Sequence, residues 1–165
     1  MPALEAGVEA PQITLKDLDG KEFSLQTARQ RGPVILAFFK VNCPVCQLAM
    51  PYLERLYKAY GASGKFTFMG VSQNDANDTR AFNRQYGVTF PMLIDSDGYA
   101  ATRAYKLTNV PTVFMVSAEG GIDFSSVSWS KADMEDLSRR LATVSGMKEA
   151  RLFTAADSVP DFKPG

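Results

Sequence analysis

Residues 33–46 read PVILAFFKVNCPVC, an apolar run that leads into two cysteines separated by two residues. The six residues from Val34 to Phe39 are all apolar, which is typical of a strand buried on both faces of a parallel or mixed sheet. From Cys43 to Tyr60, apolar positions recur at intervals of three and four, and this spacing predicts a helix. The cysteine pair is therefore expected where a central strand ends and a helix begins.

The rest of the chain alternates between short strands and helices. Near the N-terminus, Asp19-Gly20 suits a tight turn between strands at 13–16 and 22–25, which predicts a hairpin at the edge of a sheet. Such alternation predicts an α/β fold in which a central mixed β-sheet is flanked by helices. Beyond residue 60 we expect strands at 66–71, 92–95, 112–116 and 122–127, and helices at 75–86, 99–105 and 131–145.

The domain organisation is expected to be simple. At 165 residues the chain fits one domain of ordinary size, and no repeat, low-complexity tract or linker divides it. We therefore predict a single domain over 1–165, with an N-terminal hairpin extension at 1–30. Residues 147–165 lack clear periodicity and carry two prolines near their end, which predicts an extended C-terminal tail on the surface.

Charge and hydropathy exclude two classes of partner. Eighteen basic residues balance eighteen acidic ones without a basic block, so we expect no nucleic acid partner. No apolar run approaches the roughly 20 residues that cross a bilayer, so we expect no membrane span in this chain. The opening residues lack a signal-peptide pattern, which predicts a cytoplasmic protein, or a periplasmic or secreted one if a leader has been removed. We expect a monomer or weak dimer.

The chain has two cysteines and no histidine. A closed structural zinc site needs four ligands, so the sequence predicts no metal site, and it predicts no other cofactor. A Cys-His nucleophile pair is also excluded. The cysteines could instead be buried free thiols, but the junction of a strand and a helix is expected to be exposed in an α/β sheet, which argues against that interpretation.

The spacing Cys43-Pro44-Val45-Cys46 suits redox chemistry. Unpaired N–H groups in the first turn of a helix stabilise a thiolate, which predicts that Cys43 is the nucleophile. Cys46 lies one turn further on and can resolve a mixed disulfide at Cys43, closing an internal disulfide. We therefore predict a thiol-disulfide oxidoreductase, with a protein or small-molecule disulfide as substrate and a dithiol as electron donor.

With these motifs the chain resembles the thioredoxin superfamily, in particular the redoxin (AhpC/TSA) branch that includes TlpA/ResA-like thiol-disulfide oxidoreductases. The resemblance implies a thioredoxin fold. It also implies that the peptide bond before Pro111 is cis, that this proline faces the cysteines, and that the backbone of Val110 pairs with a substrate strand. The matching segments are Gly7, 11–15, 19–21, 38–46, 71–72, 90–91, 93–95 and 110–112.

The chain departs from that family at three positions beside the cysteines. Asn42 stands where the family often has a tryptophan before the first cysteine. Ala37 and Ala49 stand at the two positions where thioredoxins and ResA-like proteins place an acid that handles the resolving cysteine's proton. The proton of Cys46 is therefore expected to leave through water or another group, with slower resolution and a raised pKa.

Two alternative functions stay open. A peroxiredoxin-like thiol peroxidase needs a Pro-x-x-x-Thr-x-x-Cys site, whereas Leu36 and Lys40 occupy the proline and threonine positions here. A redox-sensing or binding protein would switch the same cysteine pair between thiol and disulfide without turnover, and the missing acids favour this alternative.

Overall fold

The computed structural model describes residues 3–165 of the chain. The helices are α1 (Leu25–Ala28), α2 (Pro44–Tyr60), α3 (Ala76–Tyr86), α4 (Ala100–Ala104) and α5 (Lys131–Ser145). The strands are β1 (Thr14–Asp17), β2 (Glu22–Ser24), β3 (Val34–Phe39), β4 (Thr67–Ser72), β5 (Met92–Ile94), β6 (Thr112–Val116), β7 (Ile122–Val127), β8 (Trp129–Ser130) and β9 (Phe162–Lys163).

Within residues 3–165, seven strands form one mixed sheet in the order β2-β1-β5-β4-β3-β6-β7. Strand β3 lies inside it, parallel to β4 on one side and antiparallel to β6 on the other. The hairpin β1-β2 lies at one edge, as its turn sequence predicts. The sequence-based prediction of a central mixed sheet flanked by helices is confirmed.

The core is built on β3, whose six residues are all buried. Phe38 packs edge-on against Phe114, with ring centroids 5.7 Å apart, and also contacts Tyr105 at 5.6 Å. Aromatic pairs at these separations add to the stabilisation that burial alone provides. This packing fixes the end of β3, from which the chain passes into α2.

Helix α2 begins where its sequence dictates. Cys43 has extended backbone angles and occupies the N-cap, and Pro44 follows at the first helical position, where a missing N–H costs nothing. The helix runs to Tyr60, contacts α5 and α3, and contributes its buried residues to the hydrophobic core. Within residues 3–165, no helix is both long and apolar enough to cross a membrane.

The segment after α5 returns to the domain. Leu152 is buried, and the ring of Phe153 packs against Tyr52 and Trp129 with centroid distances of 5.2 and 6.0 Å. Further on, β9 pairs antiparallel with β8. These contacts bring the end of the described chain back to the side of the molecule that carries Cys43.

Candidate active site

The sulfur of Cys43 caps helix α2. It accepts a hydrogen bond from the backbone N–H of Cys46 at 3.2 Å, while the carbonyl of Cys43 accepts one from Gln47 at 2.9 Å. The sulfur thus takes the place that a serine or aspartate oxygen holds at most N-caps. A negative charge on this atom would be stabilised by that N–H and by the helix dipole.

Both cysteines are free thiols, and both are buried. Cys43 is 5% exposed and Cys46 is 0% exposed, so the expectation of an exposed strand-helix junction is wrong. The reason is a distant part of the chain: Cys43 Sγ lies 3.6 Å from the carbonyl oxygen of Val110, to which it donates. Burial therefore does not separate reactive from structural thiols here, and the surroundings of the sulfur must do so.

Cys46 differs from Cys43 in its environment. Burial, followed by the hydrogen bond with Cys43, raises the pKa of the Cys46 thiol strongly. A hydrogen bond with the backbone of Lys40 and, to a smaller extent, the charge of Lys40 act in the opposite direction. Ala37 and Ala49, at the two positions where related proteins have an acid, are buried. The Cys46 thiol is therefore protonated at neutral pH, and the two side chains contribute no acceptor for its proton.

Val110 and Pro111 lie directly beside the cysteine pair. The peptide bond between them is cis, as the family resemblance implies, and both residues are buried. Strand β6 starts at the next residue, and the carbonyl of Pro111 accepts a hydrogen bond from Ser128 at 2.8 Å. The structure thus places Val110 in contact with Cys43, next to the start of a strand.

A cavity of about 290 Å³ opens next to Cys43. Among the lining residues in the described part of the chain, Lys40 has the one charged side chain. The full lining consists of Lys40, Cys43, Gln73, Thr102, Leu107, Thr108, Asn109, Val110 and Gly165. A disulfide-containing ligand in this cavity would reach Cys43 without passing through the core.

One wall of the cavity is held in place by a buried carboxylate. Asp95 is fully buried and accepts hydrogen bonds from the backbone N–H of Ala101 and Thr102 and from the Thr102 hydroxyl at 2.6 Å. Gln73 Nε2 donates to the same hydroxyl at 3.3 Å. The chain of contacts from Asp95 through Thr102 to Gln73 fixes two polar side chains that line the cavity.

The sequence reasoning did not single out Gln73 or Gly165. Gln73 directly follows β4, and ligands of open α/β sheets collect at the carboxyl ends of strands, so its position carried a usable signal. Gly165 gave no such signal, because its place depends on how the tail folds back. Within residues 3–165, no three histidine, cysteine, aspartate or glutamate side chains cluster to hold a metal ion.

A mixed sheet of this topology with a CPVC pair at a helix N-terminus is the arrangement of a thioredoxin-like thiol-disulfide oxidoreductase. The chain belongs to the AhpC/TSA family, whose model matches residues 6–125.

Curated relatives carry matching names. The thioredoxin-like protein YneN of Bacillus subtilis (strain 168) is 34% identical over 80% of this chain and 78% of that protein. The thiol-disulfide oxidoreductase ResA of Bacillus thuringiensis subsp. konkukian (strain 97-27) is 32% identical over 72% of this chain and 68% of its own. These relatives place the chain among the thiol-disulfide oxidoreductases.

Solved structures agree. The thioredoxin domain of a thiol-disulfide oxidoreductase from Bacteroides vulgatus superposes with a TM-score of 0.72 at 25% identity, covering 84% of this chain and 98% of that chain. A secreted disulfide oxidoreductase of Mycobacterium tuberculosis, homologous to E. coli DsbE, superposes with a TM-score of 0.65 at 28% identity. The match covers 80% of this chain and 96% of that chain. The peroxidoxin BcpB of Mycobacterium tuberculosis, with a TM-score of 0.70 at 18% identity over 88% and 99%, shares the fold.

Proposed function

We propose that this oxidoreductase reduces disulfides with Cys43 as nucleophile and Cys46 as resolving thiol. The observation that supports this assignment best is the position of Cys43 Sγ, which accepts the Cys46 N–H at the start of α2 and lies on the wall of the cavity. A thiolate at this position would accept the Cys46 N–H and would be reachable from the cavity. Cys46, in contrast, is fully buried behind it.

The exchange proceeds in two steps. The Cys43 thiolate attacks one sulfur of a substrate disulfide, forming a mixed disulfide and releasing the other substrate sulfur as a thiolate. The Cys46 thiol then loses its proton and attacks Cys43 Sγ, releasing the second substrate thiolate and closing the Cys43-Cys46 disulfide. The substrate gains two electrons, and a dithiol donor returns them by the reverse exchange.

The residues next to Cys43 suggest how substrate is held. We assign Val110 and Pro111 to substrate binding, because their backbone borders the sulfur and leads into β6. An extended peptide that pairs with this backbone would carry its disulfide to Cys43. The cavity that Val110 helps to line also contains Lys40 and Gln73, which offer polar contacts to the rest of the substrate.

The two alternatives predict different results. A thiol peroxidase would consume peroxide, for which Leu36 and Lys40 provide no threonine hydroxyl beside Cys43. A redox sensor would form the Cys43-Cys46 disulfide without multiple turnovers of a disulfide substrate. The compartment also stays a prediction, cytoplasmic or, after removal of a leader, periplasmic or secreted, and cell fractionation tests it.

The test combines a redox titration with substrate trapping. The wild-type protein is equilibrated in glutathione buffers of graded potential, and the Cys43-Cys46 disulfide is counted by alkylation and mass spectrometry. The Cys46→Ser variant is expected to hold a persistent mixed disulfide with an added disulfide substrate, and Cys43→Ser, the matched control, is expected to hold none. A wild-type protein that forms no internal disulfide, or a Cys43→Ser variant that traps equally well, would overturn the proposal.

A further inference from the structure

The C-terminal segment 160–165 follows a defined path across the domain. Trp129 Nε1 donates to the carbonyl oxygen of Pro160 at 2.7 Å, and the N–H of Lys131 donates to that of Asp161 at 2.9 Å. Strand β9 then pairs antiparallel with β8. The segment therefore docks as an added strand, through main-chain hydrogen bonds, which is how extended peptides bind to sheet edges.

This path ends on the backbone beside Cys43. The N–H of Gly165 donates to Ser128 Oγ at 3.0 Å, and Asn109 Nδ2 donates to the same hydroxyl at 2.7 Å. Gly165 approaches Val110 so closely that a Cβ atom at this position would collide with the carbonyl oxygen of Val110 and lie 3.2 Å from Pro111 Cδ. The segment thus touches the carbonyl to which Cys43 Sγ donates.

We propose that residues 160–165 are a specificity-determining cover of the substrate-binding edge. This inference rests on the proposed function, which assigns that edge to an extended peptide substrate. While the segment is docked, it blocks polypeptide disulfides at Val110, and low-molecular-weight disulfides reach Cys43 through the cavity. A polypeptide reacts once the segment has been displaced.

The contacts of the tail explain how the cover can lift without the rest of the tail. Upstream, Leu152 is buried and Asp157 is paired with Arg55, so this part is anchored. Downstream, residues 161–165 are all exposed, and Phe162 keeps 60% of its surface in solvent. The cover is therefore held chiefly by a small number of hydrogen bonds to its own main-chain groups, each of modest net strength.

The cavity suits the substrate class that the cover leaves accessible. Its volume of about 290 Å³ lies near the lower end of the range for small-molecule sites. Lys40 supplies a positive charge, and Gln73 and Asn109 supply amide groups. We therefore assign this cavity to small disulfides that carry carboxylates.

The test measures two single-turnover rates with the pre-reduced protein. Dithiobis-nitrobenzoate is the small disulfide with carboxylates, and native insulin with its disulfides intact is the polypeptide disulfide. The variants are Gly165→Val, in which the added side chain collides with Val110, and a chain that lacks residues 160–165. Ser158→Val, an exposed position in the same tail, is the matched control.

Both variants are expected to be oxidised by insulin about tenfold faster than wild type, because displacement of the cover raises the fraction of protein that can bind a polypeptide. Their rates of oxidation by dithiobis-nitrobenzoate should stay within about twofold of the wild-type rate. Hydrogen exchange at the Lys131 amide should accelerate in parallel. The proposal would be overturned if the rate with insulin stayed unchanged although the Lys131 amide exchanged faster. It would also be overturned if the rates with both substrates rose equally. Absence of reaction with both substrates in wild type and variants would instead overturn the proposed function.

Discussion

Arg55 on helix α2 and Asp157 in the C-terminal tail form a two-pronged ion pair, with Nη1 2.8 Å from Oδ2 and Nη2 3.0 Å from Oδ1. The same carboxylate accepts a hydrogen bond from the N–H of Thr154 at 2.8 Å. The helix that carries both cysteines is thereby joined to the segment that leads into β9. Planar pairing of this kind fixes orientation as well as distance.

Loss of this pair is expected to loosen the tail at low pH. The hydrogen bond from Arg55, followed by that from Thr154, holds the pKa of Asp157 well below its usual range. Because the pKa is depressed in the folded state, the stabilisation is fully present above the ordinary value of about 4 and is lost as the pH falls below it. Limited proteolysis of residues 154–165 should therefore accelerate below pH ~4.

The variant Asp157→Asn is expected to show that faster cleavage already at neutral pH, and to lose most of the pH dependence. Asp161→Asn, an exposed aspartate in the same tail, serves as control and should behave like wild type. Equal cleavage of the Asp157→Asn variant and wild type at neutral pH would show that the ion pair does not hold the tail.

Resolution of the mixed disulfide is expected to depend on hydroxide concentration. Burial raises the pKa of Cys46, and a thiol must lose its proton before it attacks. The rate of Cys46 attack on a Cys43-nitrobenzoate mixed disulfide should therefore rise about tenfold per pH unit between pH ~6 and ~9, because the thiolate of Cys46 is a minor form throughout this range. Release of the coloured thiolate in stopped flow measures it, with Cys46→Ser as the control that releases none. A rate independent of pH would show that another group accepts the proton.

Lys40 is expected to assist the cysteine pair through its charge. Its positive charge lowers the pKa of Cys46 by less than the hydrogen bond with its backbone does, and burial outweighs both effects. Lys40 also lines the cavity beside Cys43. Because Lys40 is exposed and screened by salt, Lys40→Met should slow resolution only about threefold, and less at high ionic strength. Lys148→Met, at an exposed position outside this cavity, is the control. Equal slowing by both variants would argue against a local effect.

Glu54 is expected to matter for stability because it is a buried carboxylate that serves three donors. It accepts from the N–H of Thr89 at 2.8 Å, from the Thr89 hydroxyl at 2.5 Å and from the N–H of Phe90 at 3.3 Å. Glu54→Ala leaves these groups unpaired and should lower the free energy of unfolding by about 3 kcal/mol, measured by urea denaturation. Glu135→Ala, on the exposed face of α5, should change it by less than about 0.5 kcal/mol. If Glu54→Ala changed the free energy of unfolding as little as Glu135→Ala, water would have replaced the carboxylate as the hydrogen-bond acceptor.

The sequence predicted the elements that carry strong periodicity. The apolar run of β3 and the three-and-four spacing of α2 are long enough to exclude other structures, and their observed bounds differ from the predicted ones by a residue or less. The strands β8 and β9 were missed, because two residues cannot show a period. Their pairing depends on a return of the chain that no local pattern encodes.

The site divides in the same way. The spacing of Cys43 and Cys46 and the helix start are local properties, so the sequence placed both cysteines at the end of β3. The burial of Cys43 is set by Val110, which lies 67 positions further along the chain. The sequence prediction considered only the residues around the junction, so it missed the burial of Cys43 by Val110.

The N–H of Cys46 offers a spectroscopic handle on the chemistry. It donates to the sulfur of Cys43, so the charge and bonding of that sulfur act directly on one backbone proton. Its amide resonance should shift when Cys43 becomes a thiolate, a mixed disulfide or an internal disulfide. A single nuclear magnetic resonance signal from a labelled sample would then report each stage of the catalytic cycle without any reporter group attached to the protein.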